Sequence, residues 1–310
     1  MTTPERDQPA RCHPLAREMG EFLIDRRARN VTPKTLTWYE QSLCVWAAFL
    51  DAHDVTTTGQ VTASLLRRFV VHLQSQGRTA GGVRNVFCAV KAFLRWYSEE
   101  LAPPDWASPL RKVRTPRVPQ RQMVPVPVAH VKALLATCRR RSFVGDRDRA
   151  MLLALLDTGC RASEFVALDL GDVDLGTGSV LVRQGKGRKP RVTFLGGRAR
   201  LALARYLRHR KDLAESTALW ATVDGTRLTY AGLRQVIRRR AKRAEVETPS
   251  LHSFRHAFAL NALRAGVDVI SLQRLLGHAD LSMLRRYLAQ TTEDLAEAHH
   301  RGSPVDRLRL

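Results

Sequence analysis

Apolar positions in the first hundred residues recur at helical spacing. Leu36, Tyr39, Leu43, Trp46 and Leu50 fall three or four apart, which puts them on one face of an α-helix. Thr32-Pro33 ahead of them is a start signal, because Thr caps open N–H groups and Pro fits the first helical position, where no N–H is needed. Residues 61–76 and 82–100 behave likewise, the latter with Val83, Val86, Phe87, Val90, Phe93, Leu94 and Tyr97 as its stripe. Phe22 and Leu23 mark one more helix before Thr32. The pattern predicts a small all-helical domain over residues 1–101.

The periodicity stops at residues 102–127, which hold seven of the fourteen prolines. Arg111, Lys112, Arg114, Arg117 and Arg121 lie in the same stretch, opposed only by Asp105. Proline at this density precludes a regular helix or central strand. An extended basic linker is expected, either a solvated connector or a strap along a phosphate backbone, which the charge favours.

Helical patterns return at 128–138, 147–158, 197–213, 229–244, 251–265, 269–276, 281–288 and 293–300. Two short β-rich runs, 179–183 and 191–195, flank Gln184-Gly185-Lys186-Gly187-Arg188-Lys189, which reads as a hairpin with a glycine-bearing basic turn. The expected fold is therefore mainly α with a small β-hairpin or sheet. It divides into a helical domain (1–101), a linker (102–127) and a mixed α/β domain (128–310).

Composition narrows the partner. The 310 residues are 44% apolar, enough for packed cores, yet Lys and Arg number 51 against 29 Asp and Glu, a net +22. Such an excess opposes folding through self-repulsion, so a polyanion is the natural partner. Nucleic acid fits better than membrane, since no apolar stretch reaches the ~18–20 residues of a bilayer span. Residues 128–310 carry 33 Lys and Arg against 18 Asp and Glu, so the chemistry is expected there. The polar first twenty residues give no secretion signal. Cys12, Cys44, Cys88, Cys138 and Cys160 are odd in number and not closely paired, as in a cytoplasmic protein with reduced thiols.

Four segments carry candidate chemistry: Thr158-Gly159-Cys160-Arg161-Ala162-Ser163-Glu164; Gly185-Lys186-Gly187-Arg188-Lys189; Leu251-His252-Ser253-Phe254-Arg255-His256; and Leu275-Leu276-Gly277-His278, with Tyr287 nine positions later. Singly they are weak. Arg161 could be a surface residue, Lys186 a solvated turn and His278 a helix-boundary residue. Tyr287 keeps step with Leu281, Leu284 and Leu288, as a core residue would. His252 and His256 have metal-binding spacing, but Arg255 would set fixed positive charge beside the ion and no acidic base accompanies them.

Taken in order, the segments resemble the tyrosine recombinase (phage integrase) family, especially its Xer-type members and the integrases of mobile elements. The resemblance extends to Thr35, Tyr39, Phe49 and Lys91-Ala-Phe-Leu-Arg-Trp in the first half. It implies a two-domain DNA clamp, a helical core-binding domain plus a mixed α/β catalytic domain. The catalytic residues it implies are Arg161, Lys186, His252, Arg255, His278 and the nucleophile Tyr287, with Lys189 a competitor for the lysine role. Met283-Leu284-Arg285-Arg286 departs from the Thr/Gln-rich stretch usual before the nucleophile. The implied activity is cleavage and rejoining of DNA through a 3′-phosphotyrosyl link, in integration, excision, transposition or dimer resolution. The implied assembly is a homotetramer on double-stranded recombination sites, alone or with a paralogous recombinase. A type IB topoisomerase and a non-catalytic DNA-binding regulator are the alternatives.

The residue types suit that chemistry. Attack on a phosphodiester concentrates negative charge on the non-bridging oxygens, and Arg161 and Arg255 offer permanently charged planar donors to meet it. No carboxylate cluster for Mg²⁺ is evident, so no metal or other cofactor is expected. A phenol titrates near ~10, so a proton acceptor helps, and His252 titrates near neutrality. By resemblance Lys186 protonates the departing 5′ oxygen and His278 bonds the phosphate or shares in proton handling. Glu164, three residues after Arg161, could orient that guanidinium or be an ordinary surface acid. The tail after residue 291 docks on a neighbouring protomer or is a frayed terminus.

Overall fold

A computed structural model of the chain describes residues 14–119, 124–183, 190–210 and 216–277, together with residues 296, 299, 300, 303 and 305. Two compact units emerge, Met1–Arg121 and Gln122–Leu310. The helix expected at 281–288, most of that at 293–300, and the basic turn at 184–189 lie outside the described residues.

The first unit holds α1 (Ala16–Ala28), α2 (Pro33–Asp51), α3 (Ala63–Ser75) and α4 (Ala80–Glu100). Thr32, Thr62 and Thr79 each cap the helix that follows, accepting from the N–H three residues on at 3.2, 3.2 and 3.1 Å. Each such cap stabilises its helix by about 1 kcal/mol. The apolar stripes meet around Phe22, Trp46, Phe69, Phe87 and Phe93, all buried. Phe22 sits edge-on to Tyr39 at 5.1 Å and to Phe93 at 5.7 Å.

The start of the proline-rich stretch packs on this unit. A short 3₁₀ turn spans Pro109–Lys112, and Pro109 and Val113 are buried. Arg67 Nη2 donates to the Lys112 carbonyl at 3.0 Å, and Lys91 Nζ donates to Thr115 Oγ1 at 3.3 Å. Apolar side chains among the prolines, Leu110 and Val113, explain why a purely extended run is not what forms there.

The second unit comprises α5 (Val128–Ala136), α6 (Phe143–Thr158), α7 (Ala162–Ala167), α8 (Gly197–His209), α9 (Tyr230–Arg243), α10 (Leu251–Arg264) and α11 (Val269–Leu276). β1 (Ser179–Val182) and β2 (Arg191–Phe194) pair antiparallel, with Ser179 opposite Phe194 and Val182 opposite Arg191. The core gathers Leu152, Leu155, Phe165, Tyr206, Trp220 and Phe254, with Phe165 stacked on Trp220 at 4.8 Å.

α6 begins four residues before the expected 147. Ser142 caps it, and Gly145 is required there: a Cβ would lie 1.7 Å from the Arg139 carbonyl oxygen. Asp148 on the same helix is fully buried and binds three arginines, Arg147 at 2.9 Å, Arg239 at 3.1 Å and Arg240 at 2.7 Å. The carboxylate offsets guanidinium charge that would otherwise be buried unpaired, tying α9 to α6.

Candidate active site

Arg161 follows α6 through a turn that only glycine suits. Gly159 ends the helix at φ +58°, and a Cβ there would lie 2.3 Å from Phe258 Cδ1 on α10. Arg161 then opens α7. Glu164, one turn on, accepts from the Arg161 backbone N–H at 3.0 Å and from its Nη1 at 2.8 Å. Of the two readings of Glu164, orienting the guanidinium is the one this geometry fits. The Arg161 side chain keeps 26% exposure while that of Glu164 keeps 4%, so the carboxylate lies beneath a guanidinium that still reaches solvent.

Glu164 has a second cationic partner. Arg191, first residue of β2, donates from Nη2 to Glu164 Oε2 at 2.6 Å and from Nε to the Leu275 carbonyl at 2.9 Å. Its Nη1 is buried and has no hydrogen-bond partner among the described residues. Leaving a buried donor unmet costs about 1–3 kcal/mol. The sequence reading missed Arg191. The signal was there in the alternation: Val192 and Phe194 are exposed while Thr193 is buried, so Arg191 shares the inward face.

Arg255 is 1% exposed and links the ends of two helices, α6 and α11. Nη1 donates to the Gly159 carbonyl and Nη2 to the Leu276 carbonyl, each at 2.7 Å. The side chain expected to fork onto phosphate is thus anchored on two carbonyls. His252, one turn earlier on α10, is exposed, and the buried His256 ring lies 6.2 Å from its own.

The structure therefore brings Arg161, Glu164, Arg191, Arg255 and the C-terminal end of α11 into one hydrogen-bonded cluster, with His252 a turn from Arg255. α11 ends on Gly277 at φ +65°, where a Cβ would lie 2.7 Å from Arg191 Cδ. His278 is the next residue in the chain. Lys186, His278 and Tyr287, with the competitor Lys189, lie outside the described residues.

The phage integrase family profile matches residues 126–294, and the phage integrase N-terminal SAM-like domain matches residues 21–100. The chain belongs to the phage integrase family. Tyrosine recombinase XerD of Ralstonia nicotianae is 36% identical over 290 residues, covering 91% of each chain. Tyrosine recombinase XerC of Pelobacter propionicus is 31% identical over 298 residues, covering 95% of this chain and 97% of its own. Among solved structures, the Tn1549 transposon integrase with a circular intermediate DNA superposes with TM-score 0.73 at 18% identity, over 92% of this chain and 99% of that one. The XerH recombinase in a pre-cleavage complex with its difH substrate gives 0.71 at 19%, over 95% and 97%. These two show the fold. The chain is a tyrosine-type, site-specific DNA recombinase, and the topoisomerase and regulator alternatives are not favoured.

The cluster is cationic on a buried acidic base. Burial works to raise the Glu164 pKa, but hydrogen bonds from Arg191 and Arg161 outweigh it and hold the carboxyl below its ordinary value. Burial pushes the Cys160 thiol up, despite Thr158 and neighbouring arginines. The thiol beside Arg161 thus stays protonated and is a poor competing nucleophile. Burial lowers His256, which favours its neutral form.

A groove of about 820 Å³ runs between α9 and the start of α10 of the recombinase, lined by Tyr230, Arg234, Arg238 and Ser250 among others. Leu251, the residue before His252 in the chain, also lines it. No helix among the described residues is long and apolar enough to cross a membrane.

Proposed function

We propose that this recombinase cleaves one DNA strand with Tyr287 and rejoins it to another, Arg161 and Arg255 neutralising the scissile phosphate. The phenol oxygen forms a bond to phosphorus while the bond from phosphorus to the 5′ oxygen breaks. His252 takes the phenol proton, and Lys186 gives a proton to the departing 5′ oxygen. His278 donates to a non-bridging oxygen. The reverse steps, with a different 5′ hydroxyl, seal the new junction. A phosphotyrosyl diester conserves the energy of the broken link, so rejoining needs no ATP.

The observation that carries this reading is the convergence of separated segments: Arg161 on Glu164 at 2.8 Å, and Arg255 between the Gly159 and Leu276 carbonyls at 2.7 Å each. A site for a phosphate in flight needs cations held fixed before charge develops, and both guanidiniums here are held. Arg234 and Arg238 in the groove that includes Leu251 support contact with a duplex backbone there. Four protomers, identical or paired with a paralogue, would assemble on two recombination sites and exchange strands through a four-way junction. Integration, excision, transposition and dimer resolution all use this chemistry.

Recovery of DNA covalently trapped by the protein, sequenced across the joint, tests the reading. Conservative exchange at one recurring site, undiminished by chelator, is the expected result. Random joints, or a chelator block relieved by Mg²⁺, would contradict it.

A further inference from the structure

Arg191 lies five residues after Lys186 in sequence, on the strand through which the hairpin returns. It reaches across to two other segments of the site. Nη2 takes Glu164, the carboxylate that also holds Arg161, and Nε takes the Leu275 carbonyl, three residues before His278. Gly277 leaves room for its aliphatic stem. One side chain thus ties the base of the hairpin to the Arg161 loop and to the chain leading into His278.

Two features separate this from ordinary packing. The third guanidinium nitrogen is buried with no hydrogen-bond partner among the described residues, a cost that an apolar inward side chain would avoid. Nε and Nη2 belong to one rigid plane yet bind two separate segments, Leu275 and Glu164, and a lysine ammonium has no such planar fork.

We propose that Arg191 is a positioning residue for the leaving-group step. By fastening β2 to Glu164 and to the end of α11, it sets where the hairpin delivers its acid. The inference rests on the reading of Lys186 as that acid. Arg191 itself touches no reacting atom in this scheme. It shortens the search of the hairpin lysine for the 5′ oxygen.

A bridging-sulfur substrate isolates this step, because a 5′ thiolate leaves without being protonated. The test uses the full chain in single-turnover cleavage of nicked duplexes built on the recovered site, with oxygen or sulfur at the 5′ bridging position. Arg191→Lys should cleave the oxygen substrate about 10²-fold more slowly than wild type, the scale of general-acid catalysis, with unchanged DNA affinity. On the sulfur substrate it should approach the wild-type rate. The sulfur-to-oxygen rate ratio does not depend on the fraction of protein folded. The paired variant Glu164→Gln/Arg191→Met, which leaves no lone buried charge at this pair, should show the same raised ratio.

An Arg191→Lys defect of equal size on both substrates, or no defect on oxygen, would overturn the proposal. Lys186→Ala run in parallel separates the two readings. If sulfur rescues Arg191→Lys but not Lys186→Ala, another hairpin group such as Lys189 is the acid and the anchoring role of Arg191 stands.

Discussion

Arg191 and Arg255 donate to consecutive carbonyls at the end of α11, Leu275 at 2.9 Å and Leu276 at 2.7 Å. The two arginines come from different elements, β2 and α10, yet both complement the negative end of the same helix. The last carbonyls of a helix lack intrahelical partners, and here the cations of the site satisfy them. Leu275 and Leu276 are the last two residues of α11, so β2 and α10 are both fastened to the end of that helix.

Arg255→Lys should lower the cleavage rate by about 10²-fold or more, the cost of losing one preorganised donor at a developing anion. A lysine ammonium lacks the planar fork whose two terminal nitrogens each hold one of the Gly159 and Leu276 carbonyls. DNA affinity, set mostly by other cations, should change little. Single-turnover kinetics on a nicked duplex with a parallel gel-shift titration checks both; a near-wild-type rate would remove Arg255 from the phosphate site.

Glu164→Gln should destabilise the second unit by about 3 kcal/mol, because it leaves two neighbouring guanidiniums without their shared counter-charge. The native carboxyl titrates below its unfolded value, so its contribution is full above the unfolded pKa, about 4.3. It is lost as pH falls through the lower folded value. Urea midpoints from pH 7 down to pH 3 should show an acid decline in wild type that is weaker in Glu164→Gln. Parallel curves for the two would contradict the assignment.

Gly159→Ala should cost about 1–3 kcal/mol from positive φ, and more from the 2.3 Å approach to Phe258. Adding Phe258→Leu should recover the steric part of the melting temperature and leave the backbone part. A Gly159→Ala protein that melts with wild type would show that the turn before Arg161 is not as described.

Arg234→Ala and Arg238→Ala should weaken DNA binding about equally for all sequences, each reducing the slope of log K against log salt by about 1 if it neutralises one phosphate. Titrations at four salt concentrations measure the slope. An unchanged slope would place the duplex elsewhere than the groove that includes Leu251.

Much of this architecture was legible because local chemistry and tertiary packing agree. Thr32-Pro33 starts α2 as its caps require, and the hairpin strands form where β-rich runs flank Gly185 and Gly187. The start of α6 was not legible: the close approach of the Arg139 carbonyl to Gly145 shows only in the folded chain. Arg191 was hidden for a similar reason, since its partners Glu164 and Leu275 stand 27 and 84 residues away. Order and spacing make Arg161, His252 and Arg255 candidates, but that both guanidiniums are anchored, one on a carboxylate and one on two carbonyls, emerges only from the folded chain.

The most direct test of the account is covalent capture on a nicked suicide duplex by wild type and by Tyr287→Phe. Wild type should accumulate a protein–DNA adduct linked through residue 287, while Tyr287→Phe should bind the duplex with unchanged affinity and form none. An adduct formed by Tyr287→Phe, or a wild-type adduct mapped to another residue, would contradict it.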